Sequence, residues 1–137
     1  RKRLGPDALS ISRADFADRF SRARGAVKPA LMDQHRMAGI GNIYADEVLF
    51  QSRIDPRTET SSLSGKDLER MHRNMRRILK LAIERGADFT RFPGTYILHH
   101  RRKGADCPGC GGTVDTLILG GRTAYFCPAC QHRDGGA

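Results

Sequence analysis

Residues 37–43 read MAGIGNI, a glycine-rich link between two segments that both favour helix. On its amino-terminal side we expect a helix that begins near Val27 and ends at Gly39. Pro29 is tolerated in its first turn because an N–H there has no intrahelical partner. On the carboxyl-terminal side the apolar residues of Ile43–Gln51 predict a third helix. The stretch therefore predicts two helices joined by a tight turn, the centre of a mainly helical fold.

Two further helices are predicted from their start signals. Ser12-Arg13-Ala14-Asp15 fits a capping box, and Phe16 and Phe20 follow on one helix face. Ser64-Gly65-Lys66-Asp67 is a second capping box that opens a long helix, for which Gly86 is the natural end. The apolar stripe of that helix consists of Leu68, Met71, Met75, Ile78, Leu79, Ala82 and Ile83. On its other faces we expect a solvated row of Arg70, Arg73, Arg77 and Lys80.

The four cysteines stand in two pairs near the end of the chain. Cys107, Cys110, Cys127 and Cys130 give the pattern C-x2-C-x16-C-x2-C, which is typical of a four-thiolate zinc site. Residues 114–119 and 123–126 are rich in strand-forming types, and Gly120-Gly121 between them indicates a hairpin turn. Two disulfides are the alternative, but they would not need this paired spacing. We expect one structural zinc ion, because four thiolates leave no position for a water or substrate.

The charge of the chain points to a polyanionic partner. It carries 24 lysine and arginine residues against 15 aspartate and glutamate residues, a net charge of +9, and its pI is near 10. Nucleic acid is the usual partner of such a protein, and an anionic membrane surface is the alternative. No apolar run approaches the length of about 18 residues that a membrane span needs. The start, Arg1-Lys2-Arg3, is not followed by the apolar run of a secretory signal.

The glycine-rich link has the chemistry of a phosphate site. Glycines at 39 and 41 let a ligand approach the backbone, and the first amides of the next helix have no intrahelical acceptors. Asn42 can cap that helix or donate its amide to a phosphate oxygen. In a chain with this positive charge we expect phosphate binding.

Three segments resemble one known family. Val27–Gln34 and Ala38–Glu47 resemble the helix-two-turn-helix of the formamidopyrimidine-DNA glycosylase/endonuclease VIII family. Gly120–Cys127 resembles that family's zinc-finger hairpin, and the likeness extends from about Leu4 to Gln131. The resemblance implies a mainly α fold, a helix-two-turn-helix bundle with a small zinc-bound β-hairpin. It also implies a DNA-binding domain over residues 1–90, a connector over 91–104 and a zinc finger over 105–132.

The resemblance implies roles for particular residues. Asn42, with Gly41 in the turn before it, matches the asparagine that grips backbone phosphates. Arg122 matches the arginine of the hairpin tip, which contacts the same phosphates and has a part in δ-elimination. Arg24 and Lys28 fall where the family places basic residues near DNA, although lysine is common at position 24. From the residues alone, Lys28 could be only a cation at a helix start.

The family's chemistry uses an amino-terminal proline as an amine nucleophile, with a glutamate and a lysine from the same amino-terminal lobe. This chain begins Arg1-Lys2-Arg3, and that lobe is not in it. Its prolines are Pro6, Pro29, Pro56, Pro93, Pro108 and Pro128. Pro6 is not terminal, and the amide nitrogens of the others are not nucleophilic. We therefore expect this chain alone to lack glycosylase and AP lyase activity.

We interpret the chain as the DNA-binding half of a base-excision-repair DNA glycosylase/AP lyase that grips duplex phosphates at a damaged site. We expect a monomer without membrane attachment, in the bacterial cytoplasm at the nucleoid. One alternative is a stand-alone, non-catalytic module that binds damaged DNA or docks on a repair partner. Another is an RNA-binding translation protein, against which the cysteine hairpin with Arg122 argues.

Overall fold

The structure, a computed structural model that describes residues 4–133, consists of four α-helices followed by a two-stranded hairpin. The α-helices are α1 (Arg13–Ser21), α2 (Val27–Met32), α3 (Asn42–Gln51) and α4 (Gly65–Glu84). The strands are β1 (Asp115–Leu119) and β2 (Arg122–Phe126). Three short 3-10 helices cover Thr60–Ser62, Phe89–Arg91 and Ile97–His100. The predicted fold class is confirmed, and none of the helices within residues 4–133 is long and apolar enough to span a membrane.

The two predicted capping signals behave differently. At α4 both arms of the box form, since Asp67 N donates to Ser64 Oγ at 3.0 Å and Ser64 N donates to Asp67 Oδ2 at 2.8 Å. At α1 only Ser12 acts, accepting from Asp15 N at 3.1 Å, while the Asp15 carboxylate accepts from Arg19 on the next turn. The predicted box at Ser12 is therefore a one-armed cap.

The expected end of α2 at Gly39 is wrong, because the helix ends at Met32. Asp33 has extended backbone angles, and its carboxylate accepts a hydrogen bond from His35 N at 2.9 Å. Gln34 then bridges the link, donating to Met32 O and Ile40 O and accepting from Gly39 N. Residues 33–41 form a turn that side chains hold together, which a periodicity argument does not detect.

The buried apolar residues form two clusters. The larger lies among the four helices and includes Phe16 and Phe20, whose tilted rings have centroids 4.6 Å apart. The smaller surrounds the cysteines and takes Phe50 and Ile97 from the helical part of the chain. The hairpin thus shares its core with α3. The division at residues 90 and 104 stays a prediction.

The hairpin is antiparallel, with Leu119 opposite Arg122 across a two-residue turn. Gly120 and Gly121 have φ values of +58° and +78°, the left-handed conformation that this turn requires. The predicted strand bounds differ from those observed by one residue at each start. The residues after the hairpin return to the helices: Gln131 Nε2 donates to Ile54 O at 2.9 Å, and His132 N donates to Arg53 O at 3.0 Å.

Candidate nucleic-acid interface and metal centre

The four cysteine sulfurs lie within 4.8 Å of one another. Cys107 Sγ is 3.7 Å from Cys130 Sγ, and Cys110 Sγ is 3.6 Å from Cys127 Sγ. Sulfurs placed tetrahedrally at about 2.3 Å from a zinc ion are about 3.8 Å apart. Disulfide bonds would bring the sulfurs of a pair to about 2.05 Å. The geometry therefore fits a metal centre.

Backbone N–H groups favour thiolate at this centre. Gly109 N donates to Cys107 Sγ at 3.3 Å, and Gly112 N donates to Cys110 Sγ at 3.2 Å. The hydrogen bond from Gly112 lowers the pKa of Cys110 to about 7. Burial raises the pKa values of Cys127 and Cys130, which disfavours their thiolates unless a cation is close. The donor set is that of a closed structural zinc site.

The start of α3 presents polar groups that have no partner among residues 4–133. Gly41 is the N-cap, and no side chain in this part of the chain caps the helix there. Its extended backbone leaves the first amides of α3 free of intrahelical acceptors. Asn42 Oδ1 is buried and has no hydrogen-bond partner within residues 4–133. Gly41 is exposed and Asn42 half-buried, so a ligand can reach this end of the helix.

The hairpin tip packs against the start of α2. A Cβ atom built on Gly120 would lie 3.6 Å from Pro29 Cγ. Next to the tip, Thr123 O accepts a hydrogen bond from Lys28 Nζ at 3.0 Å. Arg122 is exposed between these contacts. The arrangement brings Arg122 to the same side of the molecule as the start of α2.

Lys28 is an interior cation in this structure. Its residue is 0% exposed, and its Nζ lies 2.8 Å from Asp46 Oδ1, outside hydrogen-bond geometry, so the contact is an ion pair. Burial lowers the pKa of Lys28, and the charge of Asp46 opposes that effect. The predicted contact of Lys28 with DNA stays a prediction, since its ammonium group faces protein partners.

The other predicted basic residues occupy different environments. Arg24 is exposed between α1 and α2, and no hydrogen bond or ion pair within the described chain joins it to Lys28 or Arg122. Arg101 donates to Asp46 Oδ2 at 2.7 Å, and its guanidinium carbon lies 4.3 Å from the Tyr125 ring centroid.

The basic row on α4 is solvated only in part. Arg73, Arg77 and Lys80 are exposed. Arg70 is not, because its Nε donates to Ser52 O at 2.8 Å and its guanidinium pairs with Asp67. The expected solvated position of Arg70 is therefore wrong, and this arginine ties α4 to the end of α3.

Sequence reasoning missed two buried carboxylates on α3. Asp46 is 1% exposed and contacts Lys28, Arg101 and β2, where Tyr125 N donates to its Oδ2 at 3.3 Å. Glu47 is 0% exposed and accepts from Ile97 N at 3.1 Å and Leu98 N at 2.9 Å. The signal was present, because two acidic residues interrupt an apolar run and acidic residues are seldom buried unless they have partners.

Comparison with known families accounts for both parts of the chain. Residues 4–93 match the family described as the formamidopyrimidine-DNA glycosylase H2TH domain. Residues 106–133 match the family described as the zinc finger found in FPG and IleRS. The second match and the four-cysteine cluster together confirm the predicted structural zinc ion, which Cys107, Cys110, Cys127 and Cys130 would hold.

The curated relatives are named formamidopyrimidine-DNA glycosylase. Formamidopyrimidine-DNA glycosylase from Arabidopsis thaliana is 39% identical over 134 residues, which cover 93% of this chain and 34% of the relative. The Bacillus subtilis protein of that name is 35% identical, with 92% of this chain and 49% of the relative covered. The chain spans about a third to a half of the length of these relatives.

Solved structures have the same fold. A Lactococcus lactis FPG mutant in complex with DNA containing Fapy-dG superposes with a TM-score of 0.81 at 30% identity, covering 94% of this chain and 52% of that one. The MutM (FPG) protein from Thermus thermophilus gives 0.80 at 35% identity, covering 94% and 54%. With its helices matched over residues 4–93 and its cysteines over 106–133, this chain belongs to the formamidopyrimidine-DNA glycosylase H2TH family.

Proposed function

We propose that this chain is the phosphate-gripping half of a DNA glycosylase and binds duplex DNA with little sequence preference. The observation that carries the proposal is the convergence of two elements on one ion pair. Asn42 begins α3, one turn before Asp46. Asp46 forms an ion pair with Lys28, and Lys28 donates to Thr123 O, directly beside Arg122. A helix start and an arginine are both phosphate ligands.

Each part of this interface supplies a different kind of contact. The free amides of α3 and the Asn42 side chain offer neutral donors, and Arg122 offers a charged, planar pair of donors. Contacts of this type set the position of a duplex without reading its bases. The net charge of +9 adds long-range attraction to a polyanion.

The relatives support a role in base-excision repair. They are named formamidopyrimidine-DNA glycosylases, and solved neighbours are complexes with Fapy-dG or abasic-site DNA. These names favour the glycosylase interpretation over a stand-alone binding module. In this proposal the chain binds as a monomer at the bacterial nucleoid, and Arg122 takes part in δ-elimination when the catalytic lobe is present.

Salt titration of duplex binding tests the proposal. If three to four phosphates are neutralised, log K falls against log salt with a slope of roughly −3 to −4, and the affinity at physiological salt is about micromolar or weaker. Asn42→Ala weakens binding without changing the slope, because its side chain is neutral. Arg122→Ala lowers the magnitude of the slope by about one.

Arg73→Ala is the matched control, since it removes one exposed positive charge from α4 rather than from the interface. We expect it to leave the slope within experimental error of the parent value. Circular dichroism shows whether each variant keeps its helices. If folded Asn42→Ala and Arg122→Ala proteins keep their duplex affinity while Arg73→Ala loses it, the phosphate-binding surface lies on α4 and the proposal is wrong.

A further inference from the structure

Asp46 joins four segments through two carboxylate oxygens. Its Oδ1 pairs with Lys28 of α2 at 2.8 Å, and its Oδ2 accepts from Arg101 at 2.7 Å and from Tyr125 N of β2 at 3.3 Å. The side chains of Asp46, Lys28 and Arg101 are largely removed from solvent, at 0%, 1% and 17% exposed. A charge in such a place is stabilised only by its partners, which makes the geometry of this group hard to vary.

The contacts of this group fasten the hairpin close to Arg122. Lys28 Nζ holds Thr123 O at 3.0 Å, and Asp46 holds Tyr125 N. Arg101 adds a third hold, since its guanidinium carbon lies 4.3 Å from the centroid of the Tyr125 ring. Strand β2 is thus fastened to α2 and α3 within three residues of Arg122.

The group also has a surplus of positive charge next to the proposed interface. Two cations, Lys28 and Arg101, surround one carboxylate. Arg122 is close enough for its charge to add to the lowering that burial imposes on the pKa of Lys28. An anion bound at Arg122 therefore relieves repulsion within the group as well as pairing with Arg122 itself.

We infer that Asp46 is a positioning residue that sets the separation between Asn42 and Arg122, so that both side chains contact the phosphates of one duplex. This inference rests on the proposed function, because it explains how two distant parts of the chain act together. Asp46 touches no DNA in this assignment. It acts by fixing β2 against the helix on which Asn42 lies.

The first test needs no DNA and uses hydrogen exchange of the zinc-loaded chain. Asp46→Asn keeps the shape of the side chain and removes its charge. We expect the amides of residues 122–126 to exchange at least tenfold faster, with one zinc ion still bound. Glu47→Gln is the matched control, since it removes the charge of the neighbouring buried carboxylate, whose main-chain contacts are at residues 97 and 98. It should leave exchange over 122–126 unchanged.

The second test is a double-mutant cycle read by duplex affinity. Where Arg122→Ala weakens binding by about tenfold in the parent, we expect a loss of less than about twofold in the Asp46→Asn background. In the Glu47→Gln background the full tenfold loss should remain. A purely stabilising role for Asp46 would lower the unfolding midpoint and leave the effect of Arg122→Ala unchanged.

The outcomes separate the inference from the proposed function. Unchanged exchange over 122–126 in Asp46→Asn, or additive effects in the cycle, overturns the positioning role while duplex binding stands. If exchange is faster in Asp46→Asn but the parent protein does not bind DNA, the fastening by Asp46 is shown and the proposed function is overturned. If Asp46→Asn does not fold, Lys28→Met removes the hold on Thr123 and should give the same faster exchange. Unchanged exchange there overturns the inference.

Discussion

Glu47 is a carboxylate held inside the protein by main-chain amides, and this gives it a measurable pH signature. Burial raises its pKa, and the hydrogen bonds from Gln51, Leu98 and Ile97 oppose that effect. The native state therefore binds a proton at higher pH than the unfolded chain does. The stability from this group is fully present below the ordinary glutamate pKa and is lost as pH rises through the raised value.

We predict that Glu47→Gln removes this loss. Between about pH 4 and pH 7, the free energy of unfolding of the parent relative to the variant should decrease as pH rises, starting near the ordinary glutamate pKa of about 4.3. Urea unfolding of both proteins at several pH values measures the difference. A difference that increases with pH would mean that the native pKa of Glu47 is depressed.

Cys110 gives a second residue-level prediction. Its pKa of about 7 reflects the hydrogen bond from Gly112 N. Zinc binds the thiolate, so at Cys110 a proton competes with the metal as the pH falls through that value, in addition to the competition at the buried cysteines. Zinc affinity, measured by competition with a chromophoric chelator, should fall steeply from pH 7 to pH 5. Gly112→Pro removes the donor and should weaken binding at pH 7; equal affinity in both proteins would contradict this account.

The metal ligands were predictable residue by residue, and the ion pair of Lys28 was not. Paired cysteines carry their geometry in a local spacing of two residues, which any sequence displays. Lys28 and Asp46 are 18 positions apart, and their burial also depends on Thr123 and Tyr125, near the other end of the chain. No local pattern contains that contact. The family resemblance placed Lys28 near DNA, and its interior position emerged only with the fold.

At the scale of elements, α4 depends on its first turn. The reciprocal bonds between Ser64 and Asp67 satisfy two backbone donors at the helix start. We predict that Ser64→Ala lowers the free energy of unfolding by about 1 kcal/mol, because one of these bonds is lost. Urea unfolding measures the change, and Ser61→Ala, at an exposed position nearby, is the control. Equal stability of the two variants would mean that packing alone sets the start of α4.

The hairpin is the element that the metal holds. Its small core contains Cys107, Cys127 and Cys130, and among the described residues it takes only Phe50 and Ile97 from the helical part. We predict that chelating the zinc, or changing Cys127 to Ser, unfolds residues 105–131 and leaves most of the helical circular dichroism intact. The reason is that the metal-binding free energy of so small a unit is largely its folding free energy. A collapse of the helical signal along with the metal would show that the two parts fold as one.

The starts of α1 and α4 were predicted from local signals, whereas the end of α2 was not. Ser12 and Ser64 indicate the starts of α1 and α4 in the sequence, because an N-cap side chain accepts a hydrogen bond from a backbone N–H only two or three residues away. The end of α2 is set by Asp33 and Gln34, whose side chains bond to the link itself. Those bonds form only after residues 33–41 have folded into their turn, so a glycine several positions later looked like the stop.

At the scale of the whole molecule, the glycosylase and lyase chemistry that the family resemblance implies needs an amine nucleophile that can reach a sugar carbon of the DNA. The 137 residues offer Lys28 as an interior amine with a lowered pKa, but it is 0% exposed and paired with Asp46. We predict that this chain forms no covalent adduct with abasic DNA on borohydride reduction. A complete family member is the positive control. An adduct that disappears in Lys28→Met would show that the interior amine becomes accessible when DNA binds.

The bonds from Gln131 and His132 back to Ile54 and Arg53 have a consequence for how the protein is made. A ribosome adds about 5–20 residues per second, so the helical residues leave the exit tunnel several seconds before the last cysteine does. During that interval the carbonyl groups of Arg53 and Ile54 hydrogen-bond to water, because the residues that donate to them in the folded protein have not yet emerged. The docking of residues 131 and 132 is therefore a late step of folding, and a chain truncated before Cys127 lacks the groups that pair with the carbonyls of Arg53 and Ile54.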